Sequence, residues 1–244
     1  GFMVGRDDRK VISAFLKSNG ERGIPQGTSI SLFLANMVCW DLDKKLERCG
    51  VKFARYADDT VVWSPDYARI CEAFTCIDDF SREVGVKINL SKSAGISLLK
   101  RKGMPAEMVA KEKIDFLGYS LSVGGVSIKS AAVTKIKAQI SYILSKHLLQ
   151  PLRKKPLKAL VIPANNRDRS LISAMSEIRR YLYGGLTSVQ IPNYIHGKTR
   201  RIYFKGLMSY YPLITDAEQL KELDGWLVSA VHHAVRARGK LLMG

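Results

Sequence analysis

Val51-Lys52-Phe53-Ala54-Arg55-Tyr56-Ala57-Asp58-Asp59-Thr60-Val61-Val62-Trp63 carries the most architectural information in this chain. Apolar and polar side chains alternate up to the acidic pair, and a β-branched apolar run leaves it. That pattern predicts two half-buried strands. Asp58-Asp59 sits at the bend, so residues 51–64 are expected to form a β-hairpin. Adjacent carboxylates repel each other. Held on a stiff hairpin they are natural ligands for hard divalent cations such as Mg²⁺. An ordinary solvated turn also tolerates Asp, and the pair alone reads as such a turn.

Upstream, Val11, Ile12, Phe15 and Leu16 share one face of a short helix predicted over 8–18. A loop, Gly23-Ile24-Pro25-Gln26-Gly27, leads to a long helix from about Thr28 to Arg48. Thr28 or Ser29 caps it and Gly50 stops it. Its first half, Ile30 to Trp40, is apolar almost all round and is expected to be buried. Its second half, Asp43 to Arg48, is charged and is expected to face water.

Downstream, Pro65 and Asp66 open a helix to about Val84, and Gly85 breaks it. Val86 to Leu90 reads as a short strand, 100–112 as a polar loop, and 113–129 as a second hairpin. After residue 130 the apolar period changes from two to 3.6. Val133, Ile136, Ile140, Ile143 and Leu144 make a helical stripe. A proline-marked basic loop covers Pro151 to Pro163, and further helices are predicted at 168–183, 194–211 and 216–238. The fold class is α+β. Residues 1–129 form a mixed domain and residues 130–244 an all-helical one.

The chain has 244 residues, 46% hydrophobic and 25% charged, values of a folded chain with a real core. No apolar run approaches the length of a membrane span and no signal peptide opens the sequence, so a cytoplasmic protein with no membrane partner is expected. Cys39, Cys49, Cys71 and Cys76 include no CxxC pair and read as reduced thiols. The net charge is +17, unevenly placed. Residues 1–125 hold 19 basic and 16 acidic side chains, whereas residues 126–244 hold 20 basic and 6 acidic. A basic half joined to a near-neutral one points to a bound polyanion, with a solvated basic surface as the plainer reading. His232 and His233 are adjacent on a helix, face apart, and make no metal site.

Four segments, taken in order, resemble the reverse transcriptases. Tyr56-Ala57-Asp58-Asp59 resembles their YADD box. Gly23-Ile24-Pro25-Gln26-Gly27-Thr28-Ser29-Ile30-Ser31 resembles the (G/L)xPQGxxxS box. Gly85 to Ser93, with Asn89 and Lys92, resembles the next box. Ile114-Asp115-Phe116-Leu117-Gly118-Tyr119 resembles the FLG hairpin known as the primer grip. Gly206-Leu207-Met208-Ser209-Tyr210-Tyr211 and Leu223-Asp224-Gly225-Trp226-Leu227 are similar to thumb signatures of the bacterial group II intron kind. The sequence shows no endonuclease appendage, which is more like the retron and antiphage-defence members; defence is the expected setting.

The resemblance implies a partial right-hand polymerase palm, an antiparallel sheet with helices, followed by an all-helical thumb. It implies RNA-directed DNA synthesis on two Mg²⁺ ions, or Mn²⁺ in their place, held by Asp58 and Asp59. Those ions activate the primer hydroxyl and stabilise the leaving oxygen. The expected partners are an RNA template or dedicated non-coding RNA, a DNA primer and product, and dNTPs. Pro25, Gln26 and Gly27 would lie against template or nucleotide, since Pro25 fixes φ and Gly27 permits close approach. Tyr56 and Ala57 would border the primer's terminal sugar. Lys92 would protonate the leaving pyrophosphate, and equally reads as a solvated lysine.

Phe116, Leu117, Gly118 and Tyr119 would support the primer backbone, a role compatible with packing. Arg179, Arg180, Lys198, Arg200, Arg201 and Lys205, with Arg236 and Arg238, would contact phosphates. Of the interleaved tyrosines, Tyr210 and Tyr211 are expected in the core. The family also requires a third carboxylate on a strand well before the PQG box. Asp7 and Asp8 alone precede Gly20, in what reads as a polar helix start. The fingers and the first catalytic strand are therefore expected in a remaining N-terminal part of the polymerase. A catalytically silent RNA-binding subunit is the rival expectation.

Overall fold

The structure, a computed structural model, describes residues 5–17, 29–89, 93, 95–106, 109–154, 168–198 and 206–243. The chain forms two compact units, Gly1–Leu98 with Glu107–Val109, and Leu99–Ala106 with Ala110–Gly244.

In the first unit, α1 (Arg6–Lys17) carries Asp7 and Asp8 in its first turn, where carboxylates favour the positive end of the helix dipole. α2 (Ser29–Arg48) ends before Gly50, which takes a φ of 67°. β1 (Lys52–Tyr56) and β2 (Asp59–Trp63) pair antiparallel, from Lys52 opposite Trp63 to Tyr56 opposite Asp59. α3 (Tyr67–Val84) is capped by Asp66, whose side chain accepts from the Ala68 N–H at 2.9 Å, and it ends at left-handed Gly85. The core is Leu42, Leu46, Cys49, Val51 and Ala73, with Phe53, Val62, Ile70, Cys76, Ile77 and Phe80 packed on it.

Burial along α2 runs opposite to the expectation. Leu42 and Leu46, at i and i+4 among the charges, face β1 and α3 and are buried. In the apolar first half Leu34 is buried, while Leu32, Phe33, Met37, Val38 and Trp40 are exposed. Burial followed the one-sided stripe that the hairpin and α3 can cover, and apolar content by itself did not predict it. Val86–Asn89, expected as strand, is irregular. The four cysteines are free thiols; Cys49 Sγ and Cys76 Sγ lie 3.6 Å apart.

β3 (Leu98–Leu99) and β4 (Ala110–Lys111) are two-residue strands. In the second unit, β5 (Lys113–Phe116), β6 (Tyr119–Ser122) and β7 (Gly125–Ile128) form an antiparallel meander. β5 and β6 are joined by a turn at Leu117-Gly118, with φ values of 49° and 86°. Positive φ at both central residues is the I′ geometry that matches strand twist. The β7 edge is covered: Val126 N–H donates to Thr215 Oγ1 at 2.9 Å. Gln219 pairs both backbone groups of Ile128, accepting at 2.7 Å and donating at 2.9 Å.

α4 (Ser130–Leu144) runs into a π-helical turn, Ser145–Leu149, and then α5 (Gln150–Lys154). Residues 151–154 of the expected basic loop are thus helical, and 155–163 lie outside the described residues. α6 (Arg169–Tyr183) is capped by Asp168. The single helix expected over 194–211 is instead α7 (Gln190–Ile195) and a 3₁₀ turn, Leu207–Tyr210. Gly197 at φ 66° follows α7, a conformation that stops a helix. α8 (Ala217–Met243) closes the chain. Ile136, Ile140, Ile143, Leu144 and Leu148 form the centre of this unit's core with Ala174 and Ile178, and Tyr181, Tyr211 and Trp226 pack against it. A Cβ on Gly206 would fall onto the backbone of Leu182, Tyr183 and Gly184, so the start of the Gly206–Tyr211 signature has room for glycine alone.

Candidate active site

The β1–β2 turn consists of Ala57 and Asp58, and Asp59 is the first residue of β2, so the bend lies one residue earlier than expected. Ala57 has a φ of 55°. A positive φ at the first turn position alone is the II′ pattern, which favours glycine there. An alanine in this conformation is strained by about 1 kcal/mol. Asp58 and Asp59 are exposed, and neither carboxylate is paired with another described residue. Tyr56 is also exposed, at 62%. Two unpaired carboxylates on a stiff turn suit the oxygen preference of a hard cation. Among the described residues no group of three His, Cys, Asp or Glu is close enough to hold a metal.

Beneath the turn lies a cluster that the sequence reading passed over. The Arg55 side chain is 9% exposed and grips Asp43 through both oxygens, Nε to Oδ1 at 2.8 Å and Nη2 to Oδ2 at 2.5 Å. Its Nη1 donates to Asn36 Oδ1 at 2.9 Å and to the Ala57 carbonyl at 3.1 Å. Burial pushes the nearby Cys39 thiol up; Arg55 opposes this, and Asp43 and Asp58 add to it. The available signal was positional: alternation puts Arg55 on the inward face of β1 with Phe53, and an inward charge requires a partner.

The FLG hairpin belongs to the second unit. Leu117 is exposed, and Phe116, Gly118 and Tyr119 are half-buried. Tyr119 Oη donates to the Tyr210 carbonyl at 2.8 Å, and its ring meets Tyr211 edge-on at 5.4 Å. A Cβ on Gly118 would sit 3.4 Å from the Tyr211 hydroxyl. Tyr211 packs on the core as expected, whereas Tyr210 is 71% exposed. Its side chain lies on the outside of a 3₁₀ turn, where the expected α-helix would have carried it inward.

Pro25, Gln26, Gly27, Lys92, Arg200, Arg201 and Lys205 lie outside the described residues. Arg180, Lys198 and Arg236 are exposed. Arg179 is half-buried and donates to the Leu186 carbonyl at 3.2 Å. Arg238 is not a phosphate contact. It is buried, donates to Asp168 from Nε at 2.7 Å and to the Leu148 carbonyl from Nη1 at 2.9 Å, and so ties α8 to the α6 cap and the π turn. Asp7 and Asp8 are exposed on α1, helical as expected. His232 and His233 are exposed, with ring centres 6.5 Å apart.

Residues 11–121 match the family model described as reverse transcriptase (RNA-dependent DNA polymerase). The matched segment contains both the Asp58-Asp59 turn and the FLG hairpin. No match was found among curated proteins. No helix among the described residues is long and apolar enough to cross a membrane.

Proposed function

We propose that this chain carries the palm remainder, over 1–129, and the helical thumb, over 130–244, of a reverse transcriptase of the bacterial group II intron, retron or antiphage-defence kind. Antiphage defence is the setting we favour, on the resemblance described above. The observation that carries the reading is the exposed Asp58-Asp59 pair, unpaired among the described residues, at a two-residue hairpin turn inside the segment that matches the family model.

Asp58 and Asp59 hold divalent ions, as enzymes of this family do. When bound, the ions supply a more acidic primer hydroxyl and charge neutralisation on the leaving pyrophosphate. Ala57, with only a methyl group, leaves room for the primer's terminal sugar. Tyr56 offers an exposed ring beside it. Gln26 provides both a donor and an acceptor toward template or nucleotide. Lys92 protonates the departing pyrophosphate. Phe116 to Tyr119 support the primer backbone. Arg180, Lys198, Arg200, Arg201 and Lys205 contact phosphates of an RNA–DNA duplex, and the third carboxylate comes from a remaining part of the polymerase.

The test is primer extension on an RNA template by the complete enzyme, with Asp58→Asn and Asp59→Asn. Both variants are expected to lose DNA synthesis while keeping the wild-type fold by circular dichroism. They are also expected to keep salt-sensitive binding of an RNA–DNA hybrid, since each phosphate contact contributes up to about −0.9 to the slope of log K against log salt. Near-normal synthesis by either variant with Mg²⁺ present overturns the site. Hybrid binding by the wild type without synthesis points to the silent RNA-binding subunit.

A further inference from the structure

We propose that Arg55, anchored by Asp43 and steadied by Asn36, is the positioning residue for the Asp58-Asp59 turn. The inference rests on the reading of that pair as the metal-holding site. Arg55 has five N–H donors in a rigid plane. Asp43 takes the Nε–Nη2 edge through both oxygens, which leaves the guanidinium one orientation. Nη1 then points at two acceptors, the Asn36 side chain and the Ala57 carbonyl. Asn36 and Asp43 recur at i and i+7 on α2, so a single helix face carries both of that helix's acceptors for the guanidinium.

Ala57 is one of two non-glycine residues with positive φ among the described residues, at 55°. The peptide that carries its carbonyl is the link between Ala57 and Asp58. Holding that oxygen on Arg55 fixes the peptide plane, and with it the direction in which Asp58 leaves the turn. The charge of Arg55 works in the other direction. A cation beneath the turn repels a bound metal ion, so geometry and charge predict opposite effects of removing it. Lysine cannot substitute, because one ammonium cannot grip both Asp43 oxygens and also reach the Ala57 carbonyl in a fixed plane.

The experiment titrates the complete enzyme with Mn²⁺ and follows free Mn²⁺ by electron paramagnetic resonance, for wild type, Asp58→Asn, Arg55→Gln and Arg55→Lys. Asp58→Asn is expected to weaken binding. Arg55→Gln and Arg55→Lys are each expected to raise the Mn²⁺ dissociation constant by about tenfold or more, the usual effect of removing a group that orients a ligand. Arg55→Lys keeps the positive charge over Asp43 and guards against a variant that does not fold; circular dichroism melts check both. Adding Ala57→Gly to Arg55→Lys is expected to recover part of the affinity, since glycine holds positive φ without support. Tighter binding in Arg55→Gln, or wild-type binding in a folded Arg55→Lys, overturns the positioning role. Unchanged binding in Asp58→Asn, or none in the wild type, overturns the metal site beneath it, and the positioning role with it.

Discussion

Two hairpins of this molecule each place an L-residue at positive φ in a two-residue turn, Ala57 at 55° in the first unit and Leu117 at 49° in the second. They are held by different forces. The Ala57 carbonyl is taken by a buried guanidinium whose orientation is set by an ion pair. The Leu117-Gly118 turn is held by backbone and rings: the Gly118 carbonyl accepts from the Lys129 N–H at 2.9 Å, and Tyr119 and Tyr211 meet edge-on. The first turn presents carboxylates to solvent, so nothing can pack over it, and its support must come from below and through charge. The second can be packed from the side. The open turn is tied by a charged side chain, and the covered one by backbone and packed rings.

The largest effect is expected where volume does the holding. Gly206 precedes the 3₁₀ turn that carries Tyr210 and Tyr211, and its Cβ position is filled by the backbone of residues 182–184. Gly206→Ala is expected to cost about 3 kcal/mol in urea denaturation followed by circular dichroism. A cost within error of zero would mean that close packing does not support the second turn.

The strand alternation around Asp58-Asp59 and the Asp66 and Gly85 caps were legible in sequence because each is a local pattern. The burial of α2 was not, since it depends on which face the hairpin and α3 cover. Arg238 read as a surface cation because its partners, Asp168 and Leu148, are 70 and 90 residues away. The candidate acidic pair was visible and its Arg55–Asp43 support was not, for the same reason on a shorter scale: a bidentate contact spanning 12 residues leaves no periodic signature.

A smaller effect sharpens the comparison between the turns. Ala57→Gly and Leu117→Gly both remove positive-φ strain, offset by the freedom glycine gains when unfolded, and each is expected to stabilise by about 0.5 kcal/mol. If Ala57→Gly alone stabilises, the strain is stored only at the open turn.

The smallest effect lies at the charge-held contact of the second unit. His147 and then Lys146 hold the Glu177 carboxyl below the usual carboxylate range. A depressed folded-state value means the contact contributes stability above the ordinary value of 4.5 and loses it as pH falls through the lower folded one. Thermal melts across the acid range are expected to show a shallower loss for Glu177→Gln than for wild type. Parallel curves would show that this contact adds nothing.

The π turn at 145–149 sets the rotational phase of everything that follows it on that helix. Ile140, Leu144, Leu148 and Leu152 are all buried, at four-residue steps. In an α-helix each such step overshoots a full turn by about 40°, so three would carry the last residue about 120° around the axis. The wider i→i+5 turn, closed by Gln150 N–H on the Ser145 carbonyl, takes that rotation back. Removing any one of the five residues would let an ordinary α-turn close in its place, and the last residue of the stripe would then lie eleven residues from Ile140, within about 20° of it. The wide turn and its extra residue are thus a matched pair, and losing the turn while keeping the residue would take Leu152 off the core.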